Sequence, residues 1–481
     1  MRFGPVLCLS ICVLLSRPMP APAETKGKGT LEELGRTLAA LAAASPGNAK
    51  VGIAVIDVAS HAVVFQKNPD APMNPASNTK IVTAACALKR LGPEFRYLTS
   101  LHGNRDGAVI RGPIYLKGHA DPTLSMEALW EMARPLKAAG IRRVEGGVVV
   151  DDSYFDEHNL PYAYDQQKDE DAAFRAPVGA VSLNDNTLSI TIQPAPQGMA
   201  PASLFLDPPG YAVLVNDTVT VAKGANSPKI SATPYGNRTK IRVWGQVPLG
   251  ARPVTYYRRV DNPSLLAGFG LKSVLADLGI SVGGDVQTGT LPPGAPILAE
   301  HRSLPLASIL FEAGKLSNNF VAETVLKTIG AESKSGPGTW EAALSAAGEV
   351  LAIFGLPKES YTYRNGSGLF DANRFSALQL AKITAAAYLD STIRPEFLSQ
   401  LAIGGADGTI ESRFADPAAR RYVRAKTGTL DDVSALTGIV FDASGSRPIA
   451  FSIIVNEAPG LVSASRAYEE KIVTAIARYL H

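Results

Sequence analysis

The chain has 481 residues, 46% of them apolar and 19% charged, with a formal net charge of +3. That length exceeds what a single core holds and implies two or three domains. The near-balanced charge excludes the strongly basic surface of a nucleic-acid binder, and the composition is neither disordered nor fibrous.

The first residues, "MRFGPVLCLSICVLLSRPMPAPAE", pair a positive start at Arg2 with an apolar run from Val6 to Leu15 and an Ala21-Pro22-Ala23 site. This layout predicts a cleavable export signal over residues 1–23, and the apolar run is too short to span a bilayer. Lipidation at Cys12 is disfavoured by the bulky Ile11 before it. Cys86 is then the one cysteine left after cleavage, and its alanine- and leucine-rich surroundings predict a small core residue. Export without disulfides fits a bacterial periplasm, and no later segment has the length of a transmembrane helix.

Next, "TLEELGRTLAALAAA" has helical spacing, and "VGIAVIDVASHAVVFQKN" reads as a hairpin. "PASNTKIVTAACALKRLG", residues 75–92, reads as a helix starting near Ser77 and ending at Gly92-Pro93. From about residue 95 to 300, short strand-like runs alternate with Gly, Pro and Asn turns, and residues 184–250 look almost wholly β. Longer helical patterns return after Glu300, followed by three strand candidates, "YVRAKTGTL", "VSALTGIVFDA" and "PIAFSIIVNEA", and a final helix. The expected fold class is α+β: one domain, 24–95 plus 301–481, split by an insertion. The insertion comprises an α/β unit, 96–183 plus 251–300, and a nested β unit, 184–250. Three independent domains in series is the competing arrangement.

Ser77 and Lys80 form the sole Ser-x-x-Lys of the chain. On a helix this spacing brings hydroxyl and amine to one face, and the free N–H groups of a helix start can stabilise an oxyanion. The bland alternative is a helix-capping serine beside a solvated lysine. "KLSNNF" supplies Ser317 and Asn319, and "RAKTGTL" supplies Lys426-Thr427-Gly428-Thr429 at a strand start, where Gly428 leaves room for a ligand backbone to approach. Each motif alone is weak. Ser-x-x-Lys, Ser-x-Asn and Lys-Thr-Gly in that order are the signature of β-lactamases and penicillin-binding proteins.

The long gap between Ser77 and Ser317 leaves no place for a small β-lactamase. The chain instead resembles the three-domain D-alanyl-D-alanine carboxypeptidase/endopeptidase family, the class C low-molecular-mass penicillin-binding proteins. Further landmarks are "GHADPTL" (118–124), "GGVVVDDSYFD" (146–156), "APVGAVSLNDN" (176–186), "NGSGLFDANRFSA" (365–377) and "GGADGTIESRF" (404–414). The resemblance implies a transpeptidase-like domain in which Ser77 is the nucleophile, Lys80 its base and Asn319 the residue orienting Lys80 and the substrate amide. Ser317 would relay a proton to the leaving D-alanine. Lys426 would depress Lys80 and, with Thr427 and Thr429, hold the terminal carboxylate, while backbone N–H groups of Ser77 and Thr429 form the oxyanion hole. The expected partners are peptidoglycan stem peptides ending in D-Ala-D-Ala and β-lactams, with no cofactor or metal, no nucleic acid, and at most peripheral membrane contact.

One departure stands out. Family members often read Ser-Gly-Leu-Ser-Arg where this chain has Ser367-Gly368-Leu369-Phe370-Asp371, so a site for an anionic group on the stem peptide loses its cation. Asp151 and Phe155 either line that pocket or serve as a strand-end turn and a core aromatic; Glu323 reads as structural. Among rivals, a zinc peptidase needs paired ligands, and the histidines at 61, 102, 119, 158, 301 and 481 form no His-x-x-x-His pair. A β-lactamase and a non-catalytic cell-wall-binding relative are the remaining alternatives.

Overall fold

The computed structural model describes residues 29–167, 170–333 and 336–481; the expected export signal lies outside them. Six antiparallel strands form the sheet nearest the three motifs, in the order Ala402–Ile403, Val423–Leu430, Val433–Val440, Ile449–Asn456, Lys50–Asp57, Val63–Lys67. Strands from both ends of the chain therefore close one sheet. Its central strands Val433–Val440 and Ile449–Asn456 are buried throughout, because both faces are covered and no position needs to be polar. Alternation still sorts the side chains. Ala54 and Ile454 pack against a cluster built from the helices Thr79–Leu91, Asn319–Ala331, Trp340–Ile353 and Ala377–Leu389. Ile53, Val55 and Ile453 face Leu31–Ala43 and Val462–Leu480 on the other side.

Thr79–Leu91 runs through the middle of this unit, with every residue from Thr79 to Leu88 buried. It has no side-chain cap. A missing cap costs about 1 kcal/mol, whereas burying a single Ile81 or Leu88 contributes about 1.5–3 kcal/mol, so packing holds the helix. Cys86 lies in this core, as its neighbours predict, with its thiol pushed up by burial.

Between Leu98 and Arg302 a seven-stranded mixed sheet packs on the helices Met126–Ala138 and Pro263–Asp277. Two three-stranded sheets follow from the same stretch: Thr187–Gln193 with Ser203–Asp207 and Val254–Arg259, and Val213–Val221 with Lys229–Tyr235 and Arg238–Pro248. Val254 pairs with Ile192, so a strand pair crosses the 250/251 boundary expected for the nested unit. The inserted stretch is fastened to the helix Asn319–Ala331 by buried Lys327. Its amine meets the Asp156 carboxylate at 2.6 Å and donates to the His158 carbonyl at 2.8 Å, between the rings of Phe155 and Trp340.

Candidate active site

The approach to the buried helix is a sharp corner. Ala76 takes φ 46°, and Ser77 lies in the short 3-10 turn Ala76–Asn78. Such a backbone costs about 1–3 kcal/mol and needs support. Asn74 Oδ1 accepts the Ala76 N–H at 2.9 Å, and Asn74 exchanges bonds of 2.8 and 2.9 Å with Asn456 on the sheet. The cap position of the helix falls on Asn78, not Ser77, and carries no side-chain capping bond. The Ser77 hydroxyl instead meets Lys80.

Lys80 is 1% exposed. Its Nζ lies 2.9 Å from Ser77 Oγ, 2.7 Å from Asn319 Oδ1 and 2.8 Å from the Ser367 carbonyl oxygen. Two of these partners can only accept, given the Asn319 orientation that lets its Nδ2 donate to the Phe174 carbonyl at 3.2 Å. A neutral amine has two hydrogens and one lone pair. With both hydrogens on Asn319 and Ser367, the lone pair must face the Ser77 hydroxyl. Burial lowers Lys80 to about 7, against the Glu323 charge, which pulls it upward. Lys80 thus reaches its neutral form near neutrality, and burial rather than Lys426 is the leading cause.

Glu323 stands one turn after Asn319, fully buried. Its oxygens accept the N–H groups of Gly366 and Ser367, both at 2.8 Å. The structural reading of Glu323 therefore gains a position: it fixes the loop whose Ser367 carbonyl holds Lys80. Gly368, at φ 77°, lets that loop press on the corner, since a Cβ there would stand 1.9 Å from the Ala76 carbonyl oxygen.

Ser317 sits at φ 61° just before the helix that carries Asn319. Its Oγ accepts from Lys426 Nζ at 2.8 Å, and Lys426 also donates to the Thr427 carbonyl at 2.9 Å. Lys426 is fully buried; burial first, and then the like charge of Lys80, hold it well below an ordinary lysine. The structure thus brings two hydrogen-bonded groups, Lys80 with Ser77 and Asn319 and Lys426 with Ser317, to one site: Ser77 and Ser317 line the same cleft, and the charge of Lys80 acts on Lys426. Gly428 has a role inside the fold. A Cβ there would meet the Pro75 carbonyl oxygen at 2.6 Å and the Ser77 nitrogen at 3.2 Å. The missing side chain admits the protein's own Ser77 corner against the strand.

A cleft of about 550 Å³ opens from Ser77, lined by Ser317, Thr409, Thr427, Thr429 and Arg466 among others. The Thr427 hydroxyl bonds Thr409 at 2.8 Å. A second cleft, of about 820 Å³, continues past Thr429 to Phe174, Phe370, Asp371 and Arg374. Asp371 is paired with Arg374 at 2.6 Å, and bonding to Arg374 holds its carboxyl below the usual range. Arg374 thus neutralises the carboxylate that Asp371 brings to this cleft.

Asp151 and Phe155 do not line these clefts. Asp151 is fully buried at a strand end, where its carboxylate accepts the Ser153 N–H and hydroxyl, the Leu291 N–H and Lys117. Phe155 is a core aromatic under Lys327. Both are the turn and core residues of the plainer reading, corrected from pocket residues because their side chains are consumed by the fold. Sequence motifs also missed Phe174, Ser367 and Arg466. Phe174 and Ser367 act through backbone carbonyls, which carry no sequence signal, and Arg466 lies on a helix with no motif around it.

Comparison with known proteins gives the family. Residues 34–479 match the D-Ala-D-Ala carboxypeptidase 3 (S13) family. The chain is 34% identical over 446 residues to the D-alanyl-D-alanine carboxypeptidase of Actinomadura sp. (strain R39), covering 89% of this chain and 81% of that one. It is 24% identical over 421 residues to the D-alanyl-D-alanine carboxypeptidase DacB of Haemophilus influenzae, covering 85% of this chain and 86% of the relative. The crystal structure of penicillin binding protein 4 (dacB) from Haemophilus influenzae superposes with a TM-score of 0.76 at 22% identity, over 90% of this chain and 99% of that one. With the family model matching residues 34–479, most of its length, the chain belongs to the D-Ala-D-Ala carboxypeptidase 3 (S13) family.

Proposed function

We propose that this protein is a serine-type D-alanyl-D-alanine carboxypeptidase, also cutting D,D-cross-links, that hydrolyses peptidoglycan stem peptides in a bacterial periplasm. The observation that carries the reading is the Lys80 amine, whose two obligate acceptors leave its lone pair for Ser77. Neutral Lys80 takes the Ser77 proton as Oγ bonds to the carbonyl carbon of the penultimate D-alanine. The carbonyl electron pair moves onto oxygen, which the Ser77 and Thr429 N–H groups receive; each such donor is worth about 3 kcal/mol of barrier. Collapse of this intermediate breaks the C–N bond, and the leaving amine takes its proton by way of Ser317, itself oriented by Lys426. Water then releases the acyl group from Ser77. The reading treats 24–95 and 301–481 as the catalytic unit. The inserted unit lends it one wall, through Phe174.

The test is intact-mass analysis of the mature protein over time with benzylpenicillin, beside Ser77→Ala. A lasting one-to-one adduct absent from the variant is expected. An adduct that disappears within seconds while penicillin is consumed would mark a β-lactamase, and the absence of both adduct and consumption would leave a non-catalytic wall-binding protein.

A further inference from the structure

Arg466, on the helix Val462–Leu480, occupies a position that none of the catalytic motifs accounts for. It is exposed, it lines the cleft that opens from Ser77, and its Nη2 donates to Thr429 Oγ1 at 3.1 Å. A short relay sets this placement. Thr429 pairs across the sheet with Ser434, and the Ser434 hydroxyl bonds Glu469 Oε1 at 2.6 Å. Glu469 is three residues after Arg466 on the same helix, so the two share a face. Pinning buried Glu469 over Ser434 therefore delivers Arg466 over Thr429. Arg413 braces the same turn, donating to the Arg466 carbonyl at 2.9 Å and to Glu469 at 3.1 Å.

The other cations near this cleft are committed. Lys426 is fully buried, its amine bonded to Ser317 and the Thr427 carbonyl. Arg413 is paired with Glu469 and Glu470. Arg466 is in no ion pair among the described residues, and its guanidinium keeps further N–H groups for an anion.

We propose that Arg466 is the group that binds the free carboxylate of the residue leaving from the scissile bond, so that it makes the enzyme selective for peptides with that acid. The proposal rests on the carboxypeptidase reading above and names the residue that reads its substrate's end. The experiment compares Arg466→Ala, Arg466→Lys and the unaltered enzyme on a peptide ending in D-Ala-D-Ala and on its C-terminal carboxamide. Acylation by benzylpenicillin and by its methyl ester is measured in parallel. A charge-assisted bond of this kind predicts that Arg466→Ala lowers the acid-to-amide ratio of kcat/KM about 10- to 100-fold, with partial recovery in Arg466→Lys. The acid-to-ester ratio of penicillin acylation should fall in step. An equal fall on acid and amide, or no fall on either, would overturn the proposal. Should Arg466→Ala not fold, Arg466→Gln, which also removes the charge, takes its place with the same expected fall in both ratios, and unchanged ratios in it would overturn the proposal. An unaltered enzyme that is acylated by penicillin yet cleaves neither peptide would refute the carboxypeptidase reading alone, with the penicillin pair still deciding the role of Arg466.

Discussion

Lys80 carries the most information of any residue in the molecule. Its burial holds it near 7, and it acts as a base only when neutral. The rate of acylation should therefore be low below that pH, rise as pH passes through about 7, and level off above it; a kcat/KM profile on a D-Ala-D-Ala peptide checks this. Glu323 gives the profile a second handle. Its negative charge favours the Lys80 ammonium, so Glu323→Gln should move the rising limb to lower pH. The same change weakens the grip on the Gly366 and Ser367 N–H groups, so the plateau should fall as well. A lower plateau with an unmoved limb would assign Glu323 to loop anchoring alone.

Elements meet at the Ser77 corner with almost no spare space. The strand Val423–Leu430 and the 366–368 loop close on it from two sides, each through a glycine whose Cβ would strike backbone. Backbone atoms cannot swing aside as a side-chain tip can. Gly428→Ala should therefore push the strand from the Ser77 turn, costing about 1–3 kcal/mol of stability by overpacking. Its effect on function should be larger: a displacement near 1 Å at a reacting centre costs on the order of 10²-fold in rate. Urea unfolding beside penicillin acylation rates separates the two. Retained acylation at wild-type rate would show that the corner yields more easily than its contacts imply.

At the scale of the whole molecule, the inserted stretch is more than an appendage. The Asn319 amide donates to the carbonyl of Phe174, and the Asn318 amide bonds Asp185 at 2.8 Å. Lys327 is sealed between Asp156, His158 and two aromatic rings. Removing one partner of a buried pair leaves the other charge uncompensated, at a cost of about 3–5 kcal/mol. Asp156→Ala should lose stability on that scale in urea, whereas an Asp156→Ala, Lys327→Met double variant should recover much of it. The sequence determined a great deal: the three motifs, their order, the hairpin of residues 50–67 and the three C-terminal strands are local patterns of hydrophobic period and turn residues. It could not place Asp151 and Phe155, because a strand-end carboxylate and an aromatic read alike whether they face a ligand or a core. Nor could it give the reason for Gly428, the bonds of the Ser367 and Phe174 carbonyls, or the position of Arg466 over Thr429. Those depend on chain segments far apart in sequence meeting within hydrogen-bond distance, and only the closed tertiary structure decides which of them meet.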